Sequence, residues 1–571
     1  MTDFENIEHA TKGRIYGPVD GFYEALFENK AWYPALKSLI GNRSTDIQQF
    51  PPSAGAALNL EKLNTHLKTL ENDQTRQYYG LTKSLKIPNP GFWLAEECDG
   101  CSDAPDWSKV MVVGVMDDKD DPQDYHQGLL CLISLAERVF LDQSTRRFLH
   151  GIYIRDRVAE PWLLDRMGLY SGRPLELPSE GARLATLLSG YSIMSQSELG
   201  MDTFIREEDG SKFIELSNND PPRLFLEPTP FVNPQQLLGK GVTCYKARTE
   251  SSGPWKAVVK FCWKSEKEEM EERILRLVKE RKVWGVIQLL DQGEIESMTG
   301  IHHGLALGPP RKIPASSNDE QTRDASSIDN QAILGNSELV LERNNTSDES
   351  RVLSYTITSP FGRHITQYSS IKEFLVVLRD AIKAHRSLYT DGRILHRDIS
   401  INNIIITEAK SPGESSGTLI DLDAAVEMTD EKPTRKTITG TKPFMAIGLL
   451  QGEENAYRHD LESFFYVFLF SAAIDRKLGL SADTPLQKWL GGSWDDLAVR
   501  KAEDLADPQF DKVLAAFQPD FEGLKGLARA LRDLFIGSKV ASEDDGSQLY
   551  EQMLAQLDGA ILEQSDGKAQ I

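Results

Sequence analysis

Two short apolar stretches with polar residues at their ends constrain most strongly what this chain can fold into. Residues 404–406 are three consecutive isoleucines, and residues 418–420 read Thr-Leu-Ile after a turn rich in Ser, Pro and Gly. Runs of β-branched residues between turn residues are typical of strands. Asp398 and Asn403 precede the first stretch, and Asp421 follows the second. The pattern therefore predicts three polar side chains at a loop and at the ends of two strands.

These three side chains suit one kind of chemistry. Mg²⁺ binds few protein oxygen atoms and takes its other ligands from water and phosphate. Asn403 and Asp421 can supply such oxygens, while Asp398 remains free to orient an attacking hydroxyl or accept its proton. Each residue alone has a structural alternative, because Asp and Asn also cap helices and form turns. Their joint occurrence in this order favours the catalytic interpretation.

The residues around them resemble protein kinases. Residues 396–398 (His-Arg-Asp), with an Asn five positions after the Asp, are similar to the kinase catalytic loop, and residues 421–423 (Asp-Leu-Asp) resemble the metal-binding element. Residues 440–446 resemble the end of an activation segment. Asp460 opens a stretch similar to the next helix, whose leading Asp braces the catalytic loop. In detail these motifs resemble the fungal-type protein kinase family, over about residues 85–530.

Upstream residues resemble the part of a kinase that binds phosphate. Gly239 and Gly241 are similar to the glycines of the phosphate loop, although a plain hairpin turn would use them equally well. Lys260 ends an apolar strand, as the phosphate-binding Lys does in kinases. Glu271 resembles the Glu that pairs with this Lys, with Glu268 as a possible substitute. The alternative for Glu271 is that it belongs to the solvated face of its helix.

The resemblance implies an enzyme that transfers the γ-phosphoryl group of Mg-ATP to a protein hydroxyl. It implies a Ser/Thr substrate, because Thr441 resembles the residue that hydrogen-bonds the catalytic Asp in Ser/Thr kinases. The adenine-binding hinge is expected near residues 355–359. Two alternatives stay open. The Asp-x-Asp form of Asp421 and Asp423 also resembles aminoglycoside and choline kinases, and a pseudokinase scaffold could keep the fold without the chemistry.

Several positions depart from the usual kinase pattern. Asp423 stands where kinases have Gly, and Ser400 replaces the Lys that most Ser/Thr kinases place two residues after the catalytic Asp. Ser at this place is, however, similar to the fungal-type family. Ile447 and Gly448 replace a Pro-Glu pair, so the ion pair that normally holds that segment is expected to be missing. The metal and base positions are retained, which favours an active enzyme.

The segment between Asp421 of the metal-binding motif and Ala446 at the end of the activation segment is a candidate for regulation. It contains four threonines that are possible phosphorylation sites: Thr429, Thr434, Thr437 and Thr439. A phosphate on this segment could order it by pairing with Arg397. The alternative is that they are ordinary loop threonines.

Residues 85–225 carry the signals of a mixed α and β region. Residues 110–116 form a short apolar run typical of a buried strand, and apolar residues recur at helical spacing over 129–140. Further strands are predicted at 148–154 and 213–216. The stretch 143–148 (Gln-Ser-Thr-Arg-Arg-Phe) is similar to the long amino-terminal region of the fungal-type family.

The predicted organisation has four parts, which together give an α+β fold class. Residues 1–80 are expected to be a helical segment, and 85–225 a mixed α/β region. Residues 226–535 are expected to form a two-lobed protein-kinase-like domain with a small β-rich lobe and a large helical lobe. Its polar tract at about 309–350 is expected to be a mobile insertion. Residues 536–571 are expected to be a carboxy-terminal helix and tail.

Composition limits the partners. The formal net charge of −22 argues against a nucleic-acid-coating protein, because phosphate binding depends on clustered Lys and Arg. No stretch resembles a signal peptide or a membrane span, and the apolar run 464–474 is better interpreted as a buried helix. Five cysteines are too few for a disulfide scaffold. We therefore expect a cytoplasmic or nuclear protein with ATP and a protein substrate as partners; the sequence leaves its oligomeric state open.

Overall fold

The fold divides into two large sheets and a helical part. The computed structural model describes residues 3–42, 60–68, 76–81, 91–96, 105–117, 122–155, 157–216, 223–234, 236–265, 270–311, 351–409, 411, 413–428, 439–536 and 547–566. The predicted insertion therefore lies outside the described residues from position 312 onward.

The first sheet is built from the amino-terminal region. Its strands are β1 (Ile15–Tyr16), β2 (Arg76–Leu81), β3 (Gly91–Glu96), β4 (Val112–Asp117), β5 (Phe148–Arg155), β6 (Val158–Asp165), β7 (Leu169–Ser171) and β8 (Leu175–Glu176). Its helices are α1 (Asp3–Thr11), α2 (Tyr33–Asn42), α3 (Leu60–Leu67), α4 (Pro122–Asp142) and α5 (Leu177–Ile193). The strand order is β1-β7-β6-β5-β4-β3-β2, with β8 beside β6. Helix α4 connects the parallel strands β4 and β5, so both strands and the helix lie close to where the sequence pattern predicts them.

Residues in the predicted segment 1–80 are part of this sheet and its core. Strand β1 pairs in parallel with β7, and Ile15 lies opposite Leu169. Phe22 and Phe27, at 1% and 0% exposure, pack in the same apolar cluster as Leu163. Helical spacing alone did not reveal these contacts because they join residues far apart in sequence.

The second sheet begins upstream of the predicted kinase-like domain. Its strands are β9 (Arg206–Glu208), β10 (Ser211–Glu215), β11 (Arg223–Leu226), β12 (Thr243–Arg248), β13 (Ala257–Ser265), β14 (Gln288–Ser297) and β15 (Arg351–Ser359), and its helices are α6 (Met270–Glu280) and α7 (Met298–Ile301). The order is β14-β15-β13-β12-β11-β10-β9. Phe225 of β11 lies opposite Phe213 on one side and Arg248 on the other. Strand pairing thus places β9, β10 and β11 in the second sheet, whereas the sequence prediction grouped residues up to 225 with the preceding region.

The two sheets share apolar core. Trp263, Met298 and Leu353 of the second sheet and its α7 extension are 1–3% exposed and belong to the same cluster as Leu163 of the first. Arg147 of the first sheet forms an ion pair with Glu296 of the second. Because buried apolar area is the main stabilising contribution, the amino-terminal region is a packed part of the structure rather than an appendage.

The helical part follows β15. Its helices are α8 (Ile371–Thr390), α9 (Ile447–Leu450), α10 (Tyr457–Ala473), α11 (Trp494–Leu505), α12 (Phe510–Ala515), α13 (Lys525–Phe535) and α14 (Ser547–Asp566). Helix α8 begins at Ser370, whose hydroxyl accepts a hydrogen bond from the Glu373 amide at 3.1 Å. Such a cap satisfies an amide that has no partner inside the helix. The predicted buried run 464–474 lies in α10 and its end. None of the helices in the described ranges is long and apolar enough to cross a membrane.

Two small sheets contain the short strands on either side of α8. Strand β16 (Arg363–His364) pairs with β18 (Ile404–Ile406), which pairs with β19 (Gly417–Leu419), while β17 (Ile394–Leu395) pairs with β20 (Val426–Glu427). The isoleucine strand has the predicted bounds. The predicted polar residues therefore stand at the ends of these strands.

Candidate active site

The catalytic-loop motif lies between β17 and β18, and its backbone is held by Asp460 of α10. The Asp460 carboxylate accepts hydrogen bonds from the amide of His396 at 3.2 Å and from the amide of Arg397 at 3.1 Å. Arg397 adopts φ +67°, a left-handed conformation that is uncommon for residues other than glycine. Asp460 is 4% exposed, so two buried hydrogen bonds stabilise this strained turn.

Asp398 is oriented by two different segments. Its Oδ1 accepts hydrogen bonds from both the amide and the hydroxyl of Thr441, each at 2.7 Å. Its Oδ2 lies 3.1 Å from the side-chain amide nitrogen of Asn403, which also donates to the Asp398 carbonyl at 2.8 Å. The side-chain NH₂ group of Asn403 donates to Asp398, so its side-chain oxygen is available to bind a metal ion.

Lys260 of β13 lies in a network of carboxylates. Its Nζ is 3.3 Å from Glu271 Oε1 and 2.9 Å from Asp423 Oδ1. Glu272 instead pairs with Lys264 at 3.1 Å. Glu271 is thus the acidic residue of α6 next to Lys260, and Glu268 lies outside the described residues. The strand and the helix belong to the second sheet, while Asp423 follows β19, so Lys260 joins the two parts of the structure.

Glu271, Asp421 and Asp423 each offer a carboxylate oxygen within 4.8 Å of one another. Desolvation and the charge of Asp423 raise the pKa of Glu271 to about 8 and that of Asp421 to about 7. Desolvation also acts on Asp423, but the Lys260 ammonium overcomes it and holds the Asp423 pKa well below its usual range. Three oxygen donors with this much mutual repulsion suit a hard divalent cation. Asp421 has φ +63°, so its backbone is also strained.

The two predicted phosphate-loop glycines contact the amino-terminal region. The Gly239 amide donates to the carbonyl of Arg166 at 2.9 Å. Gly241 has φ +58°, and a Cβ there would lie 2.8 Å from Arg166 Nε. The Arg166 guanidinium donates to the carbonyls of Gln236 at 2.8 Å and Leu237 at 3.1 Å. Arg166 is 1% exposed and therefore anchors this segment, residues 236–241, from the first sheet.

The end of the predicted activation segment lacks the usual ion pair, since Ile447 and Gly448 cannot form it, and is held by other contacts. The Lys501 ammonium donates to the Met445 carbonyl at 2.6 Å, and the Ile447 amide donates to Glu462 at 2.8 Å. Lys501 is 0% exposed. These two contacts stabilise the segment without a Pro-Glu pair.

The phosphorylation candidates are only partly described. The Thr439 hydroxyl accepts a hydrogen bond from Arg397 at 2.9 Å. Thr429, Thr434 and Thr437 lie outside the described residues. Residues 355–359, where the hinge is expected, are inside β15, and the connection to the helical part starts at Pro360.

Two residues of this site were not assigned roles from the sequence. From the sequence, Asp423 is a departure from Gly and part of the Asp-x-Asp form, with no role of its own, yet its carboxylate lies 2.9 Å from Lys260 Nζ. The Asp-x-Asp spacing was the available signal. Arg166 carried no signal, because its contacts with residues 236–241 depend on how the two sheets pack.

A Lys–Glu pair beside an aspartate pair, facing a loop aspartate held by a neighbouring amide, is the arrangement of a kinase-type phosphotransferase. The family model described as fungal protein kinase matches residues 93–472, about two thirds of the chain. The chain belongs to this family, as the motif resemblance predicted. No curated protein matches the chain.

Proposed function

We propose that the second sheet and the helical part form the two lobes of a protein kinase. In this proposal the enzyme transfers the γ-phosphoryl group of Mg-ATP to a Ser or Thr hydroxyl of a protein. The observation that carries the proposal is the Asp398 carboxylate, whose Oδ1 accepts two 2.7 Å hydrogen bonds from Thr441. A carboxylate held in place by two hydrogen bonds is suited to orienting an incoming hydroxyl.

The roles follow from charge and position. Lys260 neutralises phosphate oxygens, and Glu271, at 3.3 Å, keeps the ammonium in place. Asp398 orients the substrate hydroxyl and receives its proton as the oxygen attacks the γ-phosphorus and the bond to ADP breaks. Gly239, where a Cβ would meet nothing within 4 Å, leaves room for the backbone to approach phosphate, whereas Gly241 makes room for Arg166, which holds the loop.

The donor set fits Mg²⁺. Asn403 and Asp421 would bind the ion, as the sequence predicts, and Asp423 offers a further carboxylate oxygen close to Asp421. When bound, Mg²⁺ would supply positive charge that offsets the charge of the phosphates. The Lys260 ammonium, which contacts both Asp423 and Glu271, offsets part of the negative charge of these carboxylates.

The test is transfer of labelled phosphate from Mg-ATP to a mixed protein substrate and to the enzyme itself. The matched control is Asp398→Asn, which keeps the size of the side chain and removes the proton acceptor. We expect the variant to lose transfer by orders of magnitude while it still binds ATP. Equal transfer by both proteins would contradict the assignment of Asp398.

A second candidate is a small-molecule phosphotransferase, favoured by one observation. Asp423 lies 2.9 Å from Lys260 and within 4.8 Å of Asp421, so the Asp-x-Asp pair faces the phosphate-binding Lys. Peptides and small alcohols, including an aminoglycoside and choline, should be compared as acceptors at equal concentration. Transfer to a small alcohol alone would favour this candidate, and absence of ATP binding would favour a pseudokinase.

A further inference from the structure

A buried chain of hydrogen bonds connects the carboxy-terminal helix α14 to the catalytic loop. The Tyr550 hydroxyl of α14 lies 2.6 Å from His385 Nδ1 in α8. His385 Nε2 lies 2.9 Å from Asp460 Oδ2, and Asp460 accepts the amides of His396 and Arg397. Three helices and the catalytic loop thus meet in one chain of hydrogen bonds that ends at Arg397, the residue before Asp398.

Burial makes each link of this chain matter. Tyr550 and His385 are 0% exposed, and Asp460 is 4% exposed. A polar group buried at such a position without a hydrogen-bond partner is destabilising by about 1–3 kcal/mol. The ring of His385 also packs against Phe464 of α10 at a centroid distance of 5.8 Å, which restricts its rotation. Water therefore offers little replacement for the Tyr550 hydroxyl.

The direction of the hydrogen bonds follows from the charges. Desolvation would raise the pKa of Asp460, but the hydrogen bonds from His385 and from the Arg397 amide hold it below its usual range. An ionised carboxylate only accepts, so His385 donates through Nε2–H. With its proton on Nε2 alone, the imidazole offers Nδ1 as an acceptor, and the Tyr550 hydroxyl lies 2.6 Å from it. Desolvation raises the pKa of Tyr550 well above its ordinary value, so the phenol keeps its proton.

We propose that Tyr550 is a positioning residue for the catalytic loop, acting through His385 and Asp460. The tyrosine fixes the imidazole tautomer, the imidazole aims the Asp460 carboxylate, and the carboxylate holds the strained backbone of Arg397. The fungal protein kinase match ends at residue 472, so this contribution comes from a part of the chain that the match does not cover. The kinetic consequence rests on the proposed phosphotransfer, whereas the hydrogen-bond chain does not.

The experiment compares Tyr550→Phe with Tyr389→Phe in the full chain. Tyr389 belongs to the same aromatic group, through Tyr457, but its hydroxyl is outside the chain of hydrogen bonds. For Tyr550→Phe we expect kcat to fall about fivefold to tenfold, with the KM for ATP within twofold of wild type. Amide hydrogen exchange at His396 and Arg397 should become faster by a similar factor. Tyr389→Phe should change neither quantity.

Three results would overturn the proposal. The first is unchanged exchange at the two amides in Tyr550→Phe, and the second is an equal kcat loss in both variants. The third comes from the wild-type protein, labelled with ¹⁵N-histidine: nitrogen chemical shifts that show His385 protonated on Nδ1. This last measurement needs no variant to fold. A wild-type protein without phosphotransfer activity would refute the proposed function, while the exchange and tautomer measurements would still decide the role of Tyr550.

Discussion

Replacing Arg166 by Met tests whether the first sheet holds the predicted phosphate loop. Methionine keeps apolar contact with Phe140, over whose ring the guanidinium lies at 4.7 Å, but it donates no hydrogen bonds. The carbonyls of Gln236 and Leu237 would each lose a buried, charged donor. Residues 236–241 would keep the hydrogen bond from the Gly239 amide to the Arg166 carbonyl, the hydrogen bond from the Trp263 amide to the Lys240 carbonyl at 2.7 Å, and their apolar packing.

The expected size follows from those contacts. Loss of a hydrogen bond from a charged donor to a buried carbonyl destabilises the closed segment by about 1.5 kcal/mol or more. For two carbonyls the loss of stability is about 3 kcal/mol. If this free energy holds the segment closed, local opening should become about 100-fold more frequent. The affinity for ATP should fall about tenfold if about 1.4 kcal/mol of that anchoring reaches the bound nucleotide.

The assay combines amide exchange over residues 236–241 with titration of a fluorescent ATP analogue. The matched control is Arg183→Met, because Arg183 also lies over a ring, that of Tyr23 at 4.1 Å, but its ion-pair partner is Glu28 and not a residue of this segment. We expect the control to leave both measurements unchanged. Faster exchange in Arg166→Met with an ATP affinity equal to wild type would refute the link between the anchor and nucleotide binding.

Three further predictions concern single contacts. Thr441→Val removes one of the two hydrogen bonds to Asp398 Oδ1, so kcat should fall about tenfold while Thr441→Ser stays near wild type; steady-state kinetics check this. Burial lowers the pKa of His150 to about 4, so the unfolded chain takes up a proton near pH 6.5 that the native state refuses. Stability should therefore decrease by about 3 kcal/mol as the pH falls from 6.5 to 4, and urea unfolding of His150→Gln should lack that part of the pH dependence. Mass spectra of active enzyme should show phosphate on Thr439, which contacts Arg397. The Thr439→Ala variant should lack this phosphate and lose the activity that depends on its pairing with Arg397; an active, unphosphorylated protein would contradict this role.

The parts of the site that local sequence determines were predictable. The three isoleucines of β18 and the apolar residues at helical spacing over 129–140 carry their own strand and helix signals, and both elements form where those signals stand. The contact between Asp398 and Thr441 was accessible because each residue belongs to a recognisable motif. These predictions needed no knowledge of how distant segments pack.

The remaining features depend on such packing. Strands β9, β10 and β11 join the second sheet through pairings such as Phe225 with Arg248, which a pattern of apolar residues does not specify. Arg166 resembles any surface cation in the sequence, yet it is buried among backbone carbonyls of another segment. Tyr550 is likewise an aromatic residue on a helix until its partner His385 is known.

The apolar contact between the two sheets has a consequence for how this protein can be divided. Trp263, Met298 and Leu353 are covered by the amino-terminal region, so a fragment starting at the second sheet would expose them to water. Such a fragment would invite aggregation and would also lack Arg166. Expression trials of the catalytic part alone are therefore expected to give insoluble protein, because a cut between the sheets would divide one apolar core between two fragments.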